Sequence, residues 1–328
     1  MRIIQKDVRR AWSLLQDAQR IICICHRGPD GDAVGALLGM GLLCESVFPG
    51  KRVKFHCIDP VPEVFHFLPA AMRVEGVPNL QEGDAVVFLD CAEPKLTALE
   101  EIYPALFDGT YPSLNVDHHP SNPGFGTVNF VVPDASSACE IIVYLADALQ
   151  WQMTTDIATC LLTGVYTDTG GLLHSNTSPR VYRTIAKLLR AGARHQLVIM
   201  SVFRTAKIST LKLWGRVLEK IAITQEGGAI SAVTQADFRA TGAEYSELTD
   251  AIDYVNAVPG MRFSLVLSER DGKVKGSLRT LRDDVDVSAM AGHFQGGGHR
   301  KAAGFALPGA LKTETRWQVV TPPDESQR

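Results

Sequence analysis

The stretch Ile21-Ile-Cys-Ile-Cys-His26-Arg-Gly-Pro-Asp30-Gly-Asp32 decides how the rest of the chain is read. Ile21 to Cys25 is a short continuous apolar run, consistent with a strand buried on both faces. Gly28-Pro29-Asp30-Gly31-Asp32 is turn chemistry. Ala33 to Val47 then reads as an apolar helix that contains glycine. One His and two Asp within seven residues make a poor core and a good cradle for hard divalent cations.

The same motif recurs outward from this point. Arg52 to Ile58, Asp84 to Leu89 and Ser113 to Val116 read as strands, and the last two run into Asp90 and Asp117-His118-His119. Residues from about 6 to 19 carry apolar side chains near helical spacing. Ser137-Ala-Cys-Glu140 fits a capping box ahead of a helix from Ile141 to Leu149. Asp156 to Val165 reads as a helix with Asp168 just beyond it, and Pro179 to Ala191 as another, stopped near Gly192. Alternating strand, loop and helix predicts an α/β fold with a mostly parallel sheet and flanking helices. Ligands of such sheets bind at the carboxyl ends of the strands, which is where each acidic cluster falls.

The residue types explain the spacing. His26 and Asp30 can point into a common centre, while Asp32 reaches a second ion. Asp90 can bridge two ions with its two oxygens, and His118 and Asp168 would complete the second. Two ions ~3.5–4 Å apart acidify a shared water and clamp a phosphoryl group. His119 is left beside the site as a proton donor, and Asp117 can orient His118. Any one Asp after a strand is more often a helix cap. Four clusters in order, each at an element end, favour the metal site.

Composition sets the frame. The chain has 328 residues, 45% hydrophobic and 21% charged, with a formal net charge of −3. That is enough for two domains with real cores. It gives no whole-protein basic field of the kind that announces nucleic-acid binding. The seven cysteines form no Cys-x-x-Cys pair and read as buried reduced thiols. The N-terminus lacks an apolar signal core and no apolar run approaches membrane-spanning length. We expect a cytoplasmic protein without a membrane segment.

The division falls at residues 1–194 for the metal-bearing domain, 195–221 for connecting helices and 222–310 for a smaller α/β domain. In the latter, Ala229 to Thr234, Arg262 to Ser268 and Lys273 to Arg279 read as strands, Asp286 to Gly292 as a short helix, Gly296-Gly-Gly298 as a loop and Phe305 to Leu307 as a last strand. Residues 311–328 read as a disordered tail. Between Arg262 and Lys301 eight basic residues face five acidic ones. Gly297 and Gly298 bring backbone N–H groups that can approach a phosphate, His299 follows directly, and Arg279 can fork onto a phosphate. Arg180, near the start of its helix, is a further substrate-binding candidate.

His26-x-x-Pro29-Asp30-Gly-Asp32, Asp90, Asp117-His118-His119 and Asp168 resemble the four motifs of the DHH phosphoesterase family. Gly296-Gly-Gly-His299-Arg-Lys-Ala-Ala-Gly304-Phe resembles the glycine-rich signature of that family's associated C-terminal domain. The resemblance covers roughly residues 5 to 308. It is nearest the small NrnA-like branch of oligoribonucleases (nanoRNases) and 3′-phosphoadenosine-5′-phosphate phosphatases, which Ser175-Asn-Thr-Ser-Pro-Arg180 and Ser277-Leu-Arg279 also resemble. It implies two Mn²⁺ ions, with Mg²⁺ or Co²⁺ as alternatives. His26, Asp30 and Asp90 would hold one, and Asp32, Asp90, His118 and Asp168 the other. It also implies a cleft between two domains, short RNA oligonucleotides and adenosine bisphosphate as substrates, and a homodimer. Asp90 and His119 would carry the chemistry. Arg27 and Leu172-Leu-His174 depart from the family pattern without removing a ligand.

The competing readings are a phosphodiesterase for linear or cyclic dinucleotides in second-messenger turnover, a single-strand exonuclease, a pyrophosphatase and a catalytically silent nucleotide-binding regulator. The chain has no room for the extra oligonucleotide-binding domain of a long-strand exonuclease. A pyrophosphatase would lack the Gly296-to-Gly304 signature. Loss of a metal ligand would favour the regulator, and none is missing.

Overall fold

Parallel strands need cover on both faces, and the apolar runs of the N-terminal half find it. The structure, a computed structural model, describes residues 5–204, 206–249 and 251–312. The chain divides into two compact units, Met1–Thr205 and Ala206–Arg328.

The first unit runs α1 (Gln5–Asp17), β1 (Arg20–Cys25), α2 (Gly31–Val47), β2 (Arg52–His56), β3 (Val74–Glu75), β4 (Asp84–Leu89), β5 (Ser113–Asp117), β6 (Val128–Val131), α3 (Ala138–Ala148), α4 (Thr155–Asp168), α5 (Pro179–Arg190) and α6 (His195–Val198). The six strands form one sheet in the order β3-β2-β1-β4-β5-β6, and every pair is parallel. The order reverses between β1 and β4, so the crevice of this doubly wound sheet opens at their carboxyl ends. His26 follows β1 and Asp90 follows β4.

The two sheet faces are covered differently. Ile21, Cys23, Cys25, Val87, Leu89 and Val116 pack into a core with residues of α1 to α6. Ile22, Ile24, Val86 and Phe88 face the other way, onto Leu99 and Leu106, and that smaller core contains no α-helical residue. There Phe88 stacks on Phe107 at 5.2 Å and meets Phe125 edge-on at 5.1 Å. All seven cysteines are free and buried.

Asp168 is the last residue of α4 rather than a residue beyond it, because the helix runs one turn further than its apolar pattern. What brings α4 to the sheet end is close packing on α2. Gly31, Gly35 and Gly39 recur every fourth residue, so they line one face of α2. A Cβ on Gly35 would lie 2.6 Å from the Cys160 carbonyl, and one on Gly164 would lie 2.6 Å from Asp32 Oδ1. No side chain fits at either position.

The second unit runs α7 (Ile208–Glu219), β7 (Ala222–Ile223), β8 (Gly228–Val233), α8 (Gln235–Thr241), α9 (Ala251–Asn256), β9 (Phe263–Arg270), β10 (Lys273–Arg279), α10 (Val287–Gly292), β11 (Gly297–His299) and β12 (Ala302–Pro308). Its sheet has the order β11-β12-β10-β9-β8-β7, antiparallel except for β8 with β9. Leu213 and Val217 of α7 pack into this unit's core. The glycine run is not a loop: Gly297 and Gly298 are strand residues paired with Gly304 and Ala303. A Cβ on Gly296 would lie 2.2 Å from the Gly304 carbonyl, so close backbone approach explains that glycine. Most of the tail, from residue 313 on, lies outside the described residues. Among the described residues no helix is long and apolar enough to cross a membrane.

Gly35→Ala should destabilise the protein by about 1–3 kcal/mol, the usual cost of overpacking. Gly215→Ala, in α7 with nothing within 4 Å of its added Cβ, should be neutral or stabilising by up to ~1 kcal/mol. Urea unfolding of both variants checks this; equal stabilities would contradict the α2–α4 contact.

Candidate metal centre

Asp90 is the middle of the site. Its backbone holds φ at +57°, a left-handed conformation that Asp tolerates better than most residues. Its backbone N–H is tied to the Val116 carbonyl at 3.0 Å. The side chain is buried at 2% exposure among three imidazoles. Oδ2 lies 3.6 Å from His26 Nε2, and Oδ1 lies 3.5 Å from His118 Nε2 and 3.6 Å from His119 Nδ1. Among the described residues Oδ1 has no hydrogen-bond partner.

The surrounding groups are fixed by local structure. His26 Nδ1 donates to the Arg27 carbonyl at 2.8 Å, which leaves Nε2 to face the site. Nε2 stands 3.9 Å from Asp30 Oδ1. Asp30 is the N-cap of α2 and accepts from the Asp32 and Ala33 N–H groups, both at 3.0 Å. The loop between them is held by Asp59, which accepts from the Gly28 N–H at 2.8 Å.

Asp32 is fully buried, and its two oxygens accept from the Ala138 and Cys139 N–H groups at 2.6 and 3.0 Å. Those are the first two amides of α3, so a helix N-terminus faces the carboxylate. Ser137 caps the third amide, that of Glu140, at 3.0 Å. The expected capping box closes differently. The Glu140 carboxylate accepts from the Ser136 N–H at 2.7 Å rather than from that of Ser137, and its other oxygen holds Arg180. His118 Nε2 sits 3.4 Å from Asp168 Oδ2 and 4.0 Å from Asp32 Oδ2.

Asp117 plays a different part from the one its position suggests. Oδ1 accepts from His119 Nδ1 and from the His118 backbone N–H, both at 2.8 Å. It therefore orients the His119 ring and not that of His118. Spacing alone cannot tell which of two adjacent rings turns back.

Among the described residues three overlapping groups form, each with its ligand atoms within 4.8 Å of one another: His26, Asp30 and Asp90; Asp32, His118 and Asp168; and Asp90, His118 and His119. The residues fit a pair of divalent ions. Four carboxylates and two imidazoles with free Nε2 atoms are the donor mix of Mn²⁺ and related ions. Asp90 Oδ1, buried and without a partner, has the position of a shared ligand.

The electrostatics agree. Burial would raise the pKa of Asp90, but His118 and His26 outweigh it and hold the carboxylate below its ordinary range. Burial lowers His26 and His118, yet Asp90 beside each carries them to about 9 and about 10. Burial, with Asp90 and Asp168 adding repulsion, pushes Asp32 well up. Burial lifts Asp168 to about 6. Without cations the imidazoles take their place as protonated partners.

Arg180 donates to Glu140 Oε1 at 2.7 Å and to Asp134 Oδ2 at 3.0 Å, and its last nitrogen bonds the Asp134 carbonyl. Its charge is engaged within the protein. In the second unit Arg279 and His299 both pair with Ala302, one from β10 and one from β11. Paired residues share a sheet face, so the two side chains flank Ala302 about 10 Å apart across two strand spacings. The α3 amides that hold Asp32, and Asn122 beneath Asp117, were not legible as site groups. A polar residue in a turn carries no sequence signal of what it will bond.

Comparison with known proteins gives two family matches. The DHH family, N-terminal domain, matches residues 20–165, and the DHHA1 domain matches residues 227–319. The bifunctional oligoribonuclease and PAP phosphatase NrnA of Thermus thermophilus is 34% identical over 286 residues, covering 87% of this chain and 83% of its own. The protein of the same name from Bacillus subtilis is 25% identical and covers 88% and 89%. An exopolyphosphatase-related protein from Bacteroides fragilis has the same fold, with a TM-score of 0.82 at 23% identity over 94% of this chain and 93% of its own.

A pH dependence follows from the two raised histidines. The stabilisation their charged forms give the metal-free protein is fully present below pH 6.5, the ordinary value, and is lost as pH rises through about 9 to about 10. Cations need both rings neutral, so Mn²⁺ should displace protons at pH 7 and bind more tightly as pH rises. Calorimetric titration in buffers of different ionisation enthalpy measures this release. Binding without proton release at pH 7 would contradict the charge state.

Proposed function

Because this chain belongs to the DHH phosphoesterase family, we propose that it is a Mn²⁺-dependent hydrolase of short oligoribonucleotides and of 3′-phosphoadenosine-5′-phosphate, releasing mononucleotides and AMP respectively. The observation that carries the proposal is the convergence of His26, Asp30, Asp32, His118 and Asp168 around Asp90 at the sheet's switch point. The substrate class rests on similarity over most of both chains to two proteins named for these activities.

His26, Asp30 and Asp90 would hold one ion, and Asp32, Asp90, His118 and Asp168 the other. Bound ions would supply an acidified water and offset charge on the phosphoryl oxygens. The protein's own groups do the rest. Two α3 amides hold Asp32, and two amides of the first turn of α2 hold Asp30. His119 Nε2, opposite the nitrogen engaged with Asp117, donates a proton to the ribose oxygen as the phosphorus–oxygen bond breaks. Arg279 and His299 bind phosphate or sugar oxygens of the substrate, with Gly297 and Gly298 offering backbone amides beside them.

Product analysis tests the proposal. A panel of 5′-phosphorylated RNAs of two to five residues, 3′-phosphoadenosine-5′-phosphate, a cyclic dinucleotide and pyrophosphate is incubated with enzyme and Mn²⁺. Mononucleotides from the RNAs and AMP from the bisphosphate are expected. Turnover confined to the cyclic dinucleotide or pyrophosphate would overturn the substrate assignment.

A further inference from the structure

Asn122 lies three residues past His119, in the turn that leaves β5. Its backbone N–H closes that turn on the His119 carbonyl at 3.1 Å. Its side-chain amide is spent inward. Nδ2 donates to Asp117 Oδ2 at 2.6 Å and to the Cys91 carbonyl at 2.8 Å. Oδ1 accepts from Asn115 Nδ2 at 3.0 Å and from the Gly124 N–H at 2.8 Å. Asn115, fully buried, is held in turn by Asn129 Oδ1 at 3.1 Å. The amide cannot be reversed, since its oxygen would then face the Asp117 carboxylate and the Cys91 carbonyl.

This arrangement differs from that of a solvated turn residue. Asp117 has one oxygen on His119 Nδ1 and the other on Asn122 Nδ2. Asn122 therefore stops the carboxylate from turning about its own axis and releasing the ring. Cys91 follows Asp90, so the same amide also ties the end of β4 to the end of β5.

We infer that Asn122 is a positioning residue that acts through Asp117 to hold His119 with its proton on Nδ1 and with Nε2 turned to the reacting phosphoester. The inference deepens the function proposed above and rests on it for the role of His119. The doubly protonated ring that gives up its Nε2 proton is left as the neutral Nδ1–H form, and outer hydrogen bonds of this kind set both that form and the ring's orientation.

A double-mutant cycle with a ring measurement tests it. Asn122→Ala should lower kcat by about 10- to 100-fold, the usual effect of losing such a partner. KM and Mn²⁺ affinity should be unchanged. In a His119→Ala background the same substitution should cost nothing further, because its effect runs through that ring. Asn122→Asp keeps shape and packing but replaces the donor, and at pH 8 should lose as much. An equal fractional loss in both backgrounds, or a wild-type rate in Asn122→Asp, would overturn the inference. Nitrogen NMR of the metal-free protein, at a pH where the ring is neutral, reports the His119 tautomer without any substrate. A single Nδ1–H form that becomes mixed in Asn122→Ala supports the inference, and one that persists overturns it. If the wild type hydrolyses no phosphoester, the functional reading falls while the ring measurement still decides on Asn122.

Discussion

A buried carboxylate with an oxygen that no described residue hydrogen-bonds is the constraint on which the first unit turns. Removing a carboxylate from water costs several kcal/mol unless charge and hydrogen bonds replace the solvent. Asp90 has imidazoles on three sides and a left-handed backbone, so both its charge and its conformation are maintained by neighbours. Such a residue is expensive in a scaffold and reasonable at a site where a cation completes the balance. The metal-free protein solves the same problem with protons on His26 and His118. Proton and metal are thereby made competitors for one set of nitrogen atoms.

The fold supplies these neighbours from separate parts of the chain. Strand order places the ends of β1 and β4 side by side, so His26 meets Asp90 although they are far apart in sequence. The end of β5 adds His118 and His119. Asp168 comes from a helix, and it reaches the sheet end only because α4 crosses α2 where glycines let the backbones approach. The N-terminus of α3 then meets Asp32 with two amides. Helix packing and ligand geometry are therefore one problem here: a change of a single methyl group at Gly164 would press on Asp32 itself.

Much of this was legible in the sequence because buried parallel strands announce themselves as apolar runs, and because acidic residues at their ends have few structural uses. The strand from Asp84 ends where its pattern ends, and the one from Ser113 runs one residue further, to Asp117. What escaped notice had no such signature. β3, β6 and β7 are only two to four residues long. α8 buries no residue and so shows no apolar stripe, although Thr234 and Asp237 form a true capping box at its start. Gly296-Gly-Gly298 looks like a loop because glycine disfavours strands, yet here it permits two backbones to come close. The engagement of Arg180 by Glu140 joins residues forty positions apart, which no local pattern encodes.

We propose that Asp90 is shared between two metal ions. Electron paramagnetic resonance of the protein loaded with two equivalents of Mn²⁺ tests this. A shared carboxylate between ions about 3.5–4 Å apart predicts the multiline spectrum of a spin-coupled Mn²⁺ pair, lost in Asp90→Asn. The six-line spectrum of isolated ions, or saturation at one equivalent per chain, would contradict the account.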